Sequence, residues 1–205
     1  MKNTKDENIR KVLKSLLVEE LRQIQGETGC PARVFSELGV DHGVYRVDVV
    51  TVNDIIHGYE IKSDADDLKR LPEQAEAYSR VFGRVTLVVG ETYIIRALSI
   101  IPDWWGVKLA KGNPNGTASL SDIREALDNK SQDILSVARL LWRQEALDIL
   151  KTRNVDFGVR TKRREFIYER LAAVMNIVDL QNVVRDKLFT RQDWRSDQPL
   201  LQYDG

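Results

Sequence analysis

"RVDVVTVNDIIHGYEIK", Arg46 to Lys62, decides the fold. Val, Ile, Thr and Tyr fill pleated, half-buried strands, and the polar Asn53-Asp54 pair is turn chemistry. The stretch predicts two antiparallel strands, Tyr45 to Val52 and Ile55 to Lys62, joined by a short turn. A turn centred on Asn53, Asp54 and Ile55 sets residue 52 opposite residue 56, and by the same register Asp48 opposite Glu60. Cross-strand neighbours of that kind lie roughly 5 Å apart at Cβ. Lys62 shares their face, because strand side chains alternate. Two carboxylates and a lysine thus converge in strands otherwise rich in apolar residues. Like charges directly opposite destabilise a strand pair unless something sits between them. A hard cation such as Mg2+ (or Mn2+) suits that place, since it takes a few carboxylate oxygens and keeps several waters for a phosphate substrate.

Upstream, Asp6 to Ile24 reads as an amphipathic helix, with Ile9, Val12, Leu13, Leu16, Leu17, Leu21 and Ile24 at helical spacing. "QGETGCP" breaks it, and Arg33 to Leu38 is a further strand candidate. Downstream, Leu71 to Phe82 reads as a helix with Pro72 tolerated in its first turn. Arg84 to Gly90, "RVTLVVG", is the nearly continuous apolar run of a strand buried on both faces. Thr92 to Ile101 predicts another helix, and "PDWWGVKLAKGNPNG" a strand running into a turn. Ser131 to Thr152, Thr161 to Met175 and Asp179 to Arg191 each carry helical spacing. The expected architecture is α/β: a mixed sheet flanked by helices over about 1–110, a helical C-terminal subdomain over 111–195, and a tail over 196–205.

Composition narrows the class without naming a partner. The 205 residues carry 31 Lys+Arg against 31 Asp+Glu, so bulk charge points to no polyanion or polycation, and only local clustering can. The single cysteine, Cys30, excludes an intramolecular disulfide framework and a multi-cysteine zinc site. With a polar amino terminus and no apolar run of membrane length, the expectation is a cytoplasmic protein with no membrane partner.

Gln74 and Tyr78 lie four residues apart, on one face of the helix that follows the lysine strand. With them, the run from Arg46 to Gly90 resembles the PD-(D/E)XK, or restriction-endonuclease-like, nuclease superfamily. In that family an acidic residue ends one strand, matched here by Asp48, and "ExK" lies on the next, matched by Glu60-Ile61-Lys62. A helix carrying a Gln and a Tyr follows in many exonuclease-like members. "GYEIKSDADDLKRLPEQAEAYSRVF", "VTLVV", "IPDWWG" and "LLWRQEALDIL" are similar to one bacterial nuclease-like family. Val47 stands where proline is common, a departure the superfamily tolerates.

The resemblance implies a Mg2+-dependent deoxyribonuclease in defence, repair or mobile-element biology. Asp48 and Glu60 would bind metal, Lys62 would activate or position water, and Gln74 would orient the lysine or the phosphate. A third carboxylate is usual, and Glu37 in "VFSEL" is preferred to Glu20, which interrupts the apolar stripe of the first helix. Asp64, Asp66 and Asp67 read as turn and helix-cap residues, and His42 and His57 receive no role. Lys151 to Arg170 holds seven Lys/Arg against three Asp/Glu. Arg160, Lys162, Arg163 and Arg164 there suit contacts to a DNA backbone. Trp104, Trp105 and Trp142 read as core. The alternative is a catalytically silent DNA-binding or assembly module that acts with a protein partner, and a homodimer fits either reading.

Overall fold

The computed structural model describes residues 4–191. The tail expected over 196–205 lies outside them. Six strands form one mixed sheet in the order β1(Arg33–Val40), β2(Tyr45–Val52), β3(Ile56–Lys62), β4(Arg84–Gly90), β5(Gly106–Gly112) and β6(Ala118–Arg124). β1, β2 and β3 are antiparallel, β3, β4 and β5 are parallel, and β6 returns antiparallel. β3 reaches β4 through helix α2(Leu71–Ser79), and β4 reaches β5 through α3(Ile94–Leu98). The register at the turn is the expected one, with Val52 opposite Ile56 and Val49 opposite Tyr59.

α1(Asp6–Thr28) lies on one face of the sheet. Ile9, Leu13, Leu17 and Leu21 are buried against Val34, Val49, Tyr59, Ile61 and Val88. Their i, i+4 spacing keeps one line of side chains on the sheet, each contributing about 1.5–3 kcal/mol by burial. The helix runs a turn past Ile24 and stops where Gly29 takes φ 70°, its N–H bonded to Gln25 O at 2.8 Å. The buried stripe is narrower than the sequence implied. Leu16 and Ile24 are exposed, so Glu20 between them is exposed too and interrupts nothing.

The opposite face carries α2, α3 and the C-terminal helices α4(Ile134–Ala138), α5(Arg143–Thr152), α6(Arg164–Val174) and α7(Ile177–Thr190). The expected helix over 131–152 is therefore two, broken at 139–142. The boundary near 110 does not hold as a break in structure. β6 follows it and pairs with β5, and buried residues of α4 to α7 join one core with Phe35, Val50, Leu87 and Tyr78. Arg33 on β1 donates to the carbonyls of Phe189 (2.7 Å) and Arg191 (2.6 Å), a cation on the carbonyl end of α7. β6 was missed because it is an edge strand, buried only at Ala118, whose apolar alternation is limited to Ala118 and Leu120.

One irregularity matters for the site. Phe35, Val50 and Val52 face the C-terminal helices, while Val34 and Val49 face α1, as alternation requires. Continued alternation would send Leu38 and Val47 to the α1 side, yet both pack on the other. Both strands reverse between the pairs Ser36–Val49 and Leu38–Val47. The residues between are Glu37, at φ 58°, and Asp48.

Candidate active site

Glu60 is the centre. It lies in the last turn of alternation of β3 and is 2% exposed. Its Oε1 accepts from Lys62 Nζ (2.7 Å) and Gln74 Nε2 (2.6 Å), and its Oε2 from the Tyr78 hydroxyl (3.0 Å). Period two on β3 puts Lys62 beside Glu60, and the four-residue spacing on α2 puts Gln74 and Tyr78 over it. Both local periodicities were legible in the sequence, and all four side chains meet as expected.

Asp48 joins them differently from the expected ladder partner. Its Oδ2 accepts the Ile61 N–H at 2.7 Å, so the side chain takes up a strand donor. Its Oδ1 accepts from Arg10 Nη2 at 2.7 Å, and Arg10 Nη1 also donates to the Asp48 carbonyl at 3.0 Å. Arg10 is held in turn by Asp6, one helical turn earlier. Asp48 is thus met from the α1 side and Glu60 from the α2 side. The reversal at residue 48 is what turns the carboxylate out of simple register. Arg10 was not anticipated. The only sequence signal was an Asp6/Arg10 pair at i, i+4, which helix surfaces carry routinely.

Burial, then the charge of Asp48, lifts the Glu60 carboxyl from an ordinary 4.5 to about 7, against the pull of Lys62 and Tyr78. Burial likewise raises Asp48, opposed by Arg10 and the Ile61 N–H. The Tyr78 hydroxyl is pushed up by burial and by Glu60. A raised acid binds more protons folded than unfolded between its two pKa values, so stability falls as pH rises through that window. For Glu60 the contribution is fully present below about 4.5 and lost as pH passes about 7. Urea midpoints at pH 5 and pH 8 should therefore differ more for the wild type than for Glu60→Gln. Equal differences in the two proteins would show that Glu60 is not the titrating group.

Glu37 is not part of the site. Half exposed, it turns to Arg46 Nη1 at 3.1 Å, because its left-handed backbone redirects the side chain. Glu20 is exposed on α1, and neither candidate supplies the third carboxylate. Among the described residues no group of three or more His, Cys, Asp or Glu is placed to hold a metal ion. Two carboxylates remain, Glu60 buried and Asp48 about one-fifth exposed, with Gln74 Oε1, which is itself buried and without a hydrogen-bond partner. These oxygens fit Mg2+ or Mn2+ in chemical type, with water completing the shell. Arg10 and Lys62 already hold two of the carboxylate oxygens and compete for them.

The three aspartates after Lys62 are turn residues, as expected, but none caps α2, whose N-cap is Arg70. Asp64 clasps Thr4 and the Thr92 N–H, Asp66 accepts from Ser63, and Asp67 accepts from the Lys69 N–H. His57 stacks on Tyr59 and bonds Thr86 (2.9 Å), away from Glu60. His42 lies 2.8 Å from Glu165, which Arg139 also binds. Arg139, which binds both Asp41 and Glu165, fastens the start of α6 to the β1–β2 hairpin, three ladder pairs from residue 48. Of the basic cluster there, Arg160 is bonded to Asp156, and Arg164 lies 3.7 Å from Glu165. Lys162 and Arg163 are exposed. Trp105 is core, Trp104 half-buried, and Trp142, against expectation, is exposed beneath the Arg191 guanidinium.

Fold and site define a mixed α/β protein with a buried Glu–Lys–Gln–Tyr cluster beside an arginine-held aspartate. The chain belongs to the family described as Bacteriophage P4 protein cII, whose model matches residues 1–202. A solved protein of unknown function from Silicibacter pomeroyi is similar over 68% of this chain and 89% of its own, at 18% identity and a TM-score of 0.37. No curated protein matches the sequence. No helix among the described residues is long and apolar enough to cross a membrane.

Proposed function

We propose that this protein is a metal-dependent nuclease of the PD-(D/E)XK type that hydrolyses phosphodiester bonds in DNA in the cytoplasm. The observation that carries the reading is the contact of Lys62, itself only 12% exposed, with the buried Glu60, covered by Gln74 and Tyr78 beside Asp48. A buried ion pair is seldom more stable than apolar residues of the same volume, so packing alone does not account for it. The succession of helix, three antiparallel strands, helix and parallel strand agrees with the resemblance drawn from the motif. The family's description, a bacteriophage protein, favours mobile-element biology.

Asp48 and Glu60 would hold Mg2+ or Mn2+, which when bound polarises the phosphate and lowers the pKa of a water. Lys62 stands against Glu60, where its amine can orient or deprotonate that water, or as ammonium offset charge on the transition state. Gln74 fixes Glu60 through Nε2 and keeps Oε1 as an acceptor within the site. Arg160, Lys162, Arg163 and Arg164 would contact the DNA backbone. The test is cleavage of linear, circular and single-stranded DNA with Mg2+ or Mn2+, wild type against Glu60→Ala. Metal-dependent cutting that vanishes in the variant supports the reading. A second reading has one observation in its favour: every oxygen of Asp48 and Glu60 already accepts from a donor of this chain. It makes the protein a silent DNA-binding or assembly module working with a partner, and predicts DNA binding without cutting.

A further inference from the structure

We infer that Arg10 is a resident counter-ion that occupies Asp48 until a divalent cation displaces it, and that the released guanidinium then takes a phosphate of the substrate. The inference rests on the nuclease reading of the same site. Arg10 Nη2 lies 2.7 Å from Asp48 Oδ1 and Nη1 3.0 Å from the Asp48 carbonyl, so two donors of one fork close on one residue. Asp48 Oδ2 accepts the Ile61 N–H of the adjacent strand, so Oδ1, on the side of the rim, is the oxygen a cation reaches first. Arg10 stands at that oxygen.

Its anchorage permits release. Nε and Nη2 also bond Asp6 Oδ1, at 3.2 and 3.1 Å, one turn back on α1. Asp6 is about two-fifths exposed and Arg10 one-quarter exposed, so the guanidinium sits at the rim of the site. A guanidinium displaced from Asp48 keeps Asp6 as a partner and turns its remaining donors to solvent, where a phosphate can take them in a bidentate grip. Lys11 and Lys14 line the same groove along α1, beside Glu7 and Glu19. Competition follows from charge: a guanidinium and a divalent cation cannot both sit against one partly buried carboxylate oxygen without repulsion.

The experiment measures Mn2+ binding to the full chain without DNA, by counting free Mn2+ with electron paramagnetic resonance. It compares wild type, Arg10→Gln, Arg10→Lys and Glu60→Gln. Arg10→Gln should bind Mn2+ about tenfold more tightly than wild type, the size of one partly screened charge interaction, with Arg10→Lys between them. Arg10→Lys keeps a cation opposite Asp48, and circular dichroism confirms that each variant is folded. In a second measurement, affinity for a short DNA duplex should fall in Arg10→Gln when Ca2+ is present and stay unchanged without a divalent ion. Equal or weaker Mn2+ binding by Arg10→Gln, with binding still lost in Glu60→Gln, overturns the inference and leaves the metal site standing. Absence of Mn2+ binding in every protein overturns both.

Discussion

Lys62→Ala should lower metal-dependent DNA cleavage by about 10³-fold, the middle of the range for loss of a positioned acid–base group. Folding should survive. Glu60 keeps Gln74 and Tyr78 as donors and, with its carboxyl at about 7, can carry a proton in place of the lost ammonium. DNA affinity should change little, because Lys62 is only 12% exposed and is turned to Glu60. Lys62→Arg separates two roles, since a guanidinium holds charge but does not give up its proton near neutral pH. Activity retained by arginine points to charge stabilisation, and activity lost in both variants to proton transfer. A folded Lys62→Ala protein cutting at the wild-type rate would falsify the proposed role of this lysine.

Trp105→Ala should lower unfolding free energy by about 3–5 kcal/mol, the range for removing a large aromatic from a core. Trp105 is fully buried immediately before β5, its ring stacked on Tyr78 at 6.3 Å and edge-on to Trp104 at 6.2 Å. Its Nε1 donates to Ser79 Oγ at 3.2 Å. The neighbours belong to α2 and the loop before β5, so no single side chain can move in to fill the space. The effect reaches the site through Tyr78, whose hydroxyl binds Glu60. Urea denaturation followed by circular dichroism reads the stability loss. Trp104→Ala, at a half-buried position, should cost clearly less. Equal losses for the two would mean that the stack on Tyr78 contributes nothing special.

Much of this arrangement was legible along the chain because it depends on local spacing. The two-residue step from Glu60 to Lys62 and the four-residue step from Gln74 to Tyr78 are periodicities of the strand and the helix. The register between β2 and β3 followed from the length of one turn, and the buried β4 from an unbroken apolar run. Those features brought Glu60, Lys62, Gln74 and Tyr78 together on paper as they are in space. Other stretches lacked such a pattern: β6 offers only Ala118 and Leu120 on its apolar face, and the helix break at 139–142 lies within continuous apolar spacing.

Sequence by itself therefore determined the mixed α/β class, the pairing of β2 with β3 and the three residues around Glu60, namely Lys62, Gln74 and Tyr78. Tertiary structure alone decided how Asp48 is held, that Arg10 holds it, and that Glu37 and Glu20 stand outside. The reason is physical. Periodicity says which side chains share a face of one element, but not which distant element comes to rest against them. Arg10 and Asp48 are 38 residues apart, and nothing in either segment specifies their 2.7 Å contact until α1 packs on the sheet. The reversal at Glu37 and Asp48 is of the same kind. Alternation is the rule for a strand taken alone, and both strands give it up together at the place where the carboxylate meets α1 on one side and the Ile61 N–H on the other.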